Sequence, residues 1–245
     1  MPDYRAGARD AWGLVDLTQP NAYPSAVLFD LDGTLIDSEH LWASAQRELL
    51  ESAGARWSPE FTKNLVGVSL IHGATYLQEM SGLIGSPEQI VAKMVSSVSS
   101  GLRAAPLPWR DGIPQMLNLL TKLEVPAAIV TSSYRPIAEA VLAGAPAGSF
   151  AGAVAGDEVD FPKPHPEPYL QAAELLGVPI DSCLIVEDSP TGVASALASG
   201  GISVAIPHEV PVAPASRLSR LRSAAEIDQG VLERLRAGEI IDTVF

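Results

Sequence analysis

Short apolar runs, each followed by a stretch with helical spacing, recur through the second half of the chain: "PAAIVTS" at 126–132, "SFAGAVAGDE" at 149–158, "SCLIVED" at 182–188 and "ISVAIP" at 202–207. Between them, residues 112–124, 134–144, 166–177 and 190–200 are amphipathic, with the period of a helix that buries one face. Alternating strand and helix predicts parallel βαβ units. An earlier apolar run at 26–30, "AVLFD", supplies one more strand for the same sheet. The expected fold class is α/β, a Rossmann-like parallel sheet flanked by helices.

Residues 38–105 interrupt the alternation. "SEHLWASAQRELLESAG" and "SPEQIVAKMVSSVSSGLRAA" have helical periodicity, and nothing between them has the pattern of a strand. An all-helical cap inserted after the first strand is expected, with the core at 1–36 and 106–245 and the cap at 37–105. The Pro-rich exit "APLPWRDG" at 105–112 is expected to act as a second hinge. Residues 1–24 read as an irregular extension, 207–217 as a Pro-rich surface loop, and the tail from Arg217 as a last strand and helix.

A chain of 245 residues with 47% hydrophobic and 18% charged residues can bury a full core. Sixteen Lys and Arg against 29 Asp and Glu give a formal charge of −13, which argues against a broad nucleic-acid footprint. The single cysteine, Cys183, allows no internal disulfide and is expected to be a buried, reduced thiol. No run approaches membrane-span length, and the start "MPDYRAGARDAWG" has no signal pattern, so a cytoplasmic location without membrane partners is expected. The four histidines show no paired ligand spacing, which argues against a Cys/His metal site.

Ligands of parallel sheets collect at the carboxyl ends of the strands. There, "FDLDGT" carries Asp30 and Asp32, whose side chains an extended strand would send to the same side. Gly33 lets the chain turn away. Thr131 and Ser132 end the second strand with hydroxyls and amides ahead of a helix, Glu187 and Asp188 end another, and Lys163 is held between two prolines. Oxygen ligands for a hard divalent cation, donors for a phosphoryl group and one ammonium form a complementary set. Taken singly these are ordinary helix caps and solvated charges; together, each at a strand end, they point to chemistry.

With these residues in place, the chain resembles the haloacid dehalogenase superfamily, in the branch with a helical cap after the first strand and similar to the β-phosphoglucomutase-like phosphatases. "FDLDGTLIDSE", "VTSS", "KPHPEPY" and "VEDSPTGVASALASG" match its four motifs, over about residues 26–206. The resemblance implies Asp30 as nucleophile, Asp32 as general acid and base, Thr131 and the amide of Ser132 as phosphoryl ligands, and Lys163 as the balancing charge. It implies Mg2+ held by Asp30, the backbone carbonyl of Asp32 and Asp188, with Glu187 close by. The expected substrate is a small phosphate ester and the expected state a monomer.

The cap stretch "NLVGVSLIHGA" resembles the family's specificity segment, making Gly67, Ser69 and His72 candidate substrate contacts. A phosphomutase and a non-catalytic phosphometabolite-binding protein are the alternatives. The mutases carry basic residues around the cap glycine, where this chain has Val66 and Leu70. The dehalogenases lack the second aspartate, and Asp32 is present. Neither Lys63 nor Lys93 has the context of the phosphonate hydrolases' Schiff-base lysine. Trp42 is expected to be helix packing, although His40 and Trp42 could reach the cleft; His165 marks a helix start; Arg135 would touch substrate or simply cap the rim.

Overall fold

The computed structural model describes residues 22–58 and 69–244. Six strands, β1 (Ala26–Phe29), β2 (Ala127–Val130), β3 (Gly152–Val154), β4 (Cys183–Glu187), β5 (Ile202–Ala205) and β6 (Leu218–Arg220), form one sheet of order β3-β2-β1-β4-β5-β6. Every pair is parallel. In β1 all four residues are buried: Val27 and Phe29 join the apolar cluster on one face, Ala26 and Leu28 the cluster on the other. A sheet covered on both faces needs apolar side chains at every position, which is why the run is continuous and not alternating.

Five described helices serve the core: α4 (Ile113–Lys122), α5 (Arg135–Gly144), α6 (Glu167–Leu176), α7 (Pro190–Ser199) and α8 (Gln229–Arg236). The chain order reverses between β1 and β4, the neighbours at the centre of the sheet. Such a switch point leaves a crevice beyond the strand ends.

Three described helices lie between β1 and α4: α1 (Glu39–Ser52), α2 (Leu70–Ser81) and α3 (Pro87–Ala104). Helix α2 has no strong signal in the sequence beyond its caps, where the Ser69 side chain accepts from the His72 amide and Gly82 closes the helix at φ 70°. Helix α3 starts with a reciprocal cap between Ser86 and Gln89, with a proline in its first turn. Its buried stripe, including Val91, Val98 and Leu102, shares one apolar cluster with Ile137 and Val141 of α5. Cap and core therefore bury a continuous interior.

The two chain crossings into the cap differ from a pair of free hinges. Asp37 N donates to Pro108 O and Arg110 N to Leu35 O, both at 2.9 Å, and Ile36 pairs with Trp109 in an antiparallel bridge. The expected hinge at 105–112 is thus pinned to the entry segment by backbone hydrogen bonds. Among the described residues no helix is long and apolar enough to cross a membrane.

Candidate active site

Asp30 follows β1, Thr131 follows β2, and Glu187 with Asp188 closes β4. Because β1 lies between β2 and β4, these ends are adjacent. Asp30 N donates to Val186 O and Thr131 N to Val154 O, each at 3.0 Å, so the ladder continues into the site and fixes its backbone. Lys163, in the loop between β3 and α6, reaches back over the strands. Its Nζ donates to Asp30 Oδ1 (2.7 Å), Val130 O (2.8 Å) and Glu187 Oε1 (2.7 Å), and its side chain is only 4% exposed.

Asp30, Glu187 and Asp188 offer oxygens that all lie within 4.8 Å of one another. Burial, only partly offset by Lys163 and reinforced by Glu187, pushes the Asp30 carboxyl up to about 7. Burial, then Asp30 and Glu187, push Asp188 up to about 8. Burial opposes the Lys163 charge, but the attraction of Asp30 and Glu187 outweighs it and raises its pKa. One ammonium thus faces three crowded acids, a set that a hard divalent cation fits by both charge and ligand type. The close approach depends on Gly33: at φ 86°, a Cβ there would stand 2.2 Å from Asp188 Oδ2.

Asp32 lies in different surroundings. Its Oδ1 accepts from Ser38 Oγ (2.5 Å) and from Trp42 Nε1 (3.0 Å), and its Oδ2 accepts from Ser133 Oγ (2.6 Å). Its carboxylate therefore stands outside the acidic trio, held by neutral donors from the entry segment, the cap helix α1 and the loop after β2. Trp42 is more than helix packing. Ser133 is positioned in turn by its amide, which donates to Thr131 Oγ1 at 2.9 Å. The sequence reading assigns no role to Ser38 or Ser133. Ser133 stands two residues after Thr131, a same-side spacing that extended backbone would have revealed.

Thr131 is buried at the strand end, whereas the Ser132 side chain is exposed, so its expected contact rests on its amide. Gly156 accommodates this loop: a Cβ there would lie 2.2 Å from Ser132 O. Ser69 and His72 sit at the start of α2, with Ser69 Oγ 3.1 Å from His72 Nδ1; among the described residues no hydrogen bond joins them to the acidic trio. Gly67, Val66 and Lys63 lie outside the described residues. Arg135 pairs with Glu158 and donates to Ala153 O (3.0 Å), a rim position. His165 Nδ1 accepts from the Glu167 amide at 3.2 Å, as a helix-start residue does. The fold also gathers Glu39, His208 and Glu209 beside the cap crossings, a grouping that sequence spacing does not show. There His208 Nδ1 faces the Arg110 guanidinium.

Residues 24–200 match the family of haloacid dehalogenase-like hydrolases. The chain belongs to that family. It is an enzyme of a hydrolase family acting on phosphate esters. It is 34% identical over 201 residues to hexitol phosphatase A of Escherichia coli, a match covering 75% of this chain and 84% of the relative. It is 30% identical over 176 residues to a phosphorylated carbohydrates phosphatase of Thermotoga maritima, covering 71% and 81%. Among solved structures, CbbY from Rhodobacter sphaeroides in complex with phosphate superposes with a TM-score of 0.73 at 25% identity, over 82% of this chain and 95% of the other.

Proposed function

We propose that this haloacid dehalogenase-like hydrolase is a Mg2+-dependent phosphatase that hydrolyses a small phosphomonoester, a sugar phosphate or similar metabolite, through an aspartyl-phosphate. One observation carries the reading: two carboxylates two residues apart occupy opposed environments. Asp30 lies in the acidic trio against Lys163, and Asp32 lies among neutral donors. Paired acids held apart in this way divide nucleophile from acid–base work.

In the first step an Asp30 oxygen forms a bond to phosphorus as the bond to the ester oxygen breaks, and Asp32 gives that oxygen its proton. In the second, water attacks the phosphorus of the aspartyl-phosphate, Asp32 takes the water's proton, and the Asp30 carboxylate is released. Lys163 keeps Asp30 oriented and offsets the charge gathering on the phosphoryl oxygens, which Thr131 and the Ser132 amide receive. Asp30, Asp188 and the Asp32 carbonyl would hold Mg2+, with Glu187 behind them. Bound Mg2+ supplies positive charge to the phosphoryl oxygens and to the crowded acids. Gly67, Ser69 and His72 are proposed to face the leaving group. The relatives named for hexitol and carbohydrate phosphates support the substrate class.

A turnover screen over phosphate esters with Mg2+, with Asp30→Asn as blank, tests the reading. Net release of inorganic phosphate from sugar phosphates is expected; isomerisation without release would replace it with the mutase alternative. Chelation should abolish turnover, Mg2+ restore it, and Ca2+ inhibit it, because calcium's looser coordination misaligns nucleophile and phosphorus. Full turnover in excess chelator would refute the metal requirement.

The raised pKa values also give the metal-free protein a pH signature. Asp30 and Asp188 stay protonated in the folded chain up to about 7 and about 8, against 3.8 unfolded. Their contribution to stability is therefore complete below about pH 4 and is lost as pH rises through the folded values. Thermal unfolding in chelator should show a midpoint lower at pH 8 than at pH 5, with Mg2+ restoring more at pH 8. A chelated protein more stable at pH 8 would contradict the crowding of these acids.

A further inference from the structure

Behind Asp30, the Glu187 carboxylate is 1% exposed and completely engaged. Its Oε1 accepts from Lys163 Nζ (2.7 Å) and from Tyr169 Oη (2.5 Å); its Oε2 accepts from the Asp188 amide (3.2 Å) and from Ser189 Oγ (3.4 Å). The fold makes room for it, since a Cβ on Gly192 would meet Glu187 Oε1 at 1.9 Å. Tyr169 is fully buried on the first turn of α6, and the Lys163 ammonium stands 4.9 Å from the centre of its ring.

We infer that Tyr169 is a positioning residue: its hydroxyl and ring hold Glu187 and Lys163 as one unit and so set where the ammonium meets Asp30. This rests on the phosphatase reading of the site. The Lys163 ammonium has three protons and three acceptors, Asp30 Oδ1, Val130 O and Glu187 Oε1. With every proton committed, displacing Glu187 displaces the ammonium, and with it the nucleophile. Small errors of alignment at a reacting centre cost rate more than binding. Packing alone does not account for the hydroxyl. The ring fills the apolar cluster with Leu28, Ile185 and Ala196, a task phenylalanine performs equally well.

Two variants of the full chain separate these roles, assayed with p-nitrophenyl phosphate and Mg2+ and with kcat expressed per folded molecule. Tyr169→Phe keeps the ring and removes the hydroxyl; a roughly tenfold fall in kcat, KM within about twofold and little change in Tm are expected. Val178→Ala trims the packing around the same cluster and leaves the hydroxyl. It should lower Tm and leave kcat unchanged. Tyr169→Phe with kcat within twofold of wild type, or unfolded at the assay temperature, overturns the inference. So does a loss of kcat that tracks the loss of Tm equally in both variants. If the wild type releases no phosphate from any ester, the phosphatase reading fails instead, a result distinct from wild-type turnover that Tyr169→Phe leaves intact.

Discussion

Asp30→Asn is expected to fold and to lose turnover of every phosphate ester, with kcat/KM down by roughly 10^4-fold or more, as when an enzyme loses its nucleophile. The amide matches the carboxylate in shape and still accepts from Lys163, so the strand end and the loop around Gly33 should persist. What disappears is the oxygen that bonds to phosphorus, and a better leaving group cannot compensate. The variant also relieves crowding among the buried acids. Because Asp30 ionises in the folded chain only near 7, the substitution should raise the unfolding midpoint in chelator at pH 8, and raise it less at pH 5, where Asp30 is already protonated. Turnover within tenfold of wild type would exclude Asp30 as the nucleophile.

Lys163→Met is expected to have the second largest effect, on activity and stability together. Among the described residues the ammonium is the single cation bonded to Asp30 and Glu187, and its side chain is 4% exposed. Removing one partner of a buried ion pair leaves uncompensated charge and costs about 3–5 kcal/mol. The ammonium keeps its charge at every pH below the ordinary lysine value, since the folded pKa of Lys163 is raised, whereas its partner Asp30 ionises only near 7. In the variant the acids regain neutrality by holding protons, so the deficit against wild type in chelator should be larger at pH 8 than at pH 5. Activity should fall by at least about 10^3-fold, because the charge opposing both the nucleophile and the phosphoryl group is gone. Equal stability of the two proteins at pH 8 would show that the ammonium does not balance the trio.

Much of this arrangement is legible in the sequence because parallel strands buried on both faces leave continuous apolar runs that end where chemistry begins. "AVLF", "AAIV" and "CLIVE" mark β1, β2 and β4, and the residue after each belongs to the site. Lys163 stands out because two prolines frame it. Helix α2 is harder to read, since its sequence "LIHGATYLQEMS" has three glycine or β-branched positions that weaken helical preference, and its ends are set by Ser69 and Gly82. Ser133, and the bond that Trp42 makes to Asp32, escape for a different reason. The bonds of Trp42 and Ser133 to Asp32 join the cap, the entry segment and the loop after β2, across sequence separations of 10 and 101 residues, and no local pattern encodes how α1 leans on the sheet. Tyr169 lies inside a recognised motif, yet its apolar neighbours in α6 give it the look of packing; only the buried Glu187 above it reveals the hydroxyl's partner.

The division of labour between Asp30 and Asp32 is tested most directly by rapid mixing of Asp32→Asn with p-nitrophenyl phosphate and Mg2+. Nitrophenolate leaves with little need of a proton, so Asp30 should still be phosphorylated, while the second step lacks its base. The predicted record is a burst approaching one equivalent of nitrophenolate per active site followed by slow release, with phosphate recovered covalently on Asp30. Loss of all reaction toward this ester in a folded Asp32→Asn protein, with no phosphate trapped on the chain, would contradict the account.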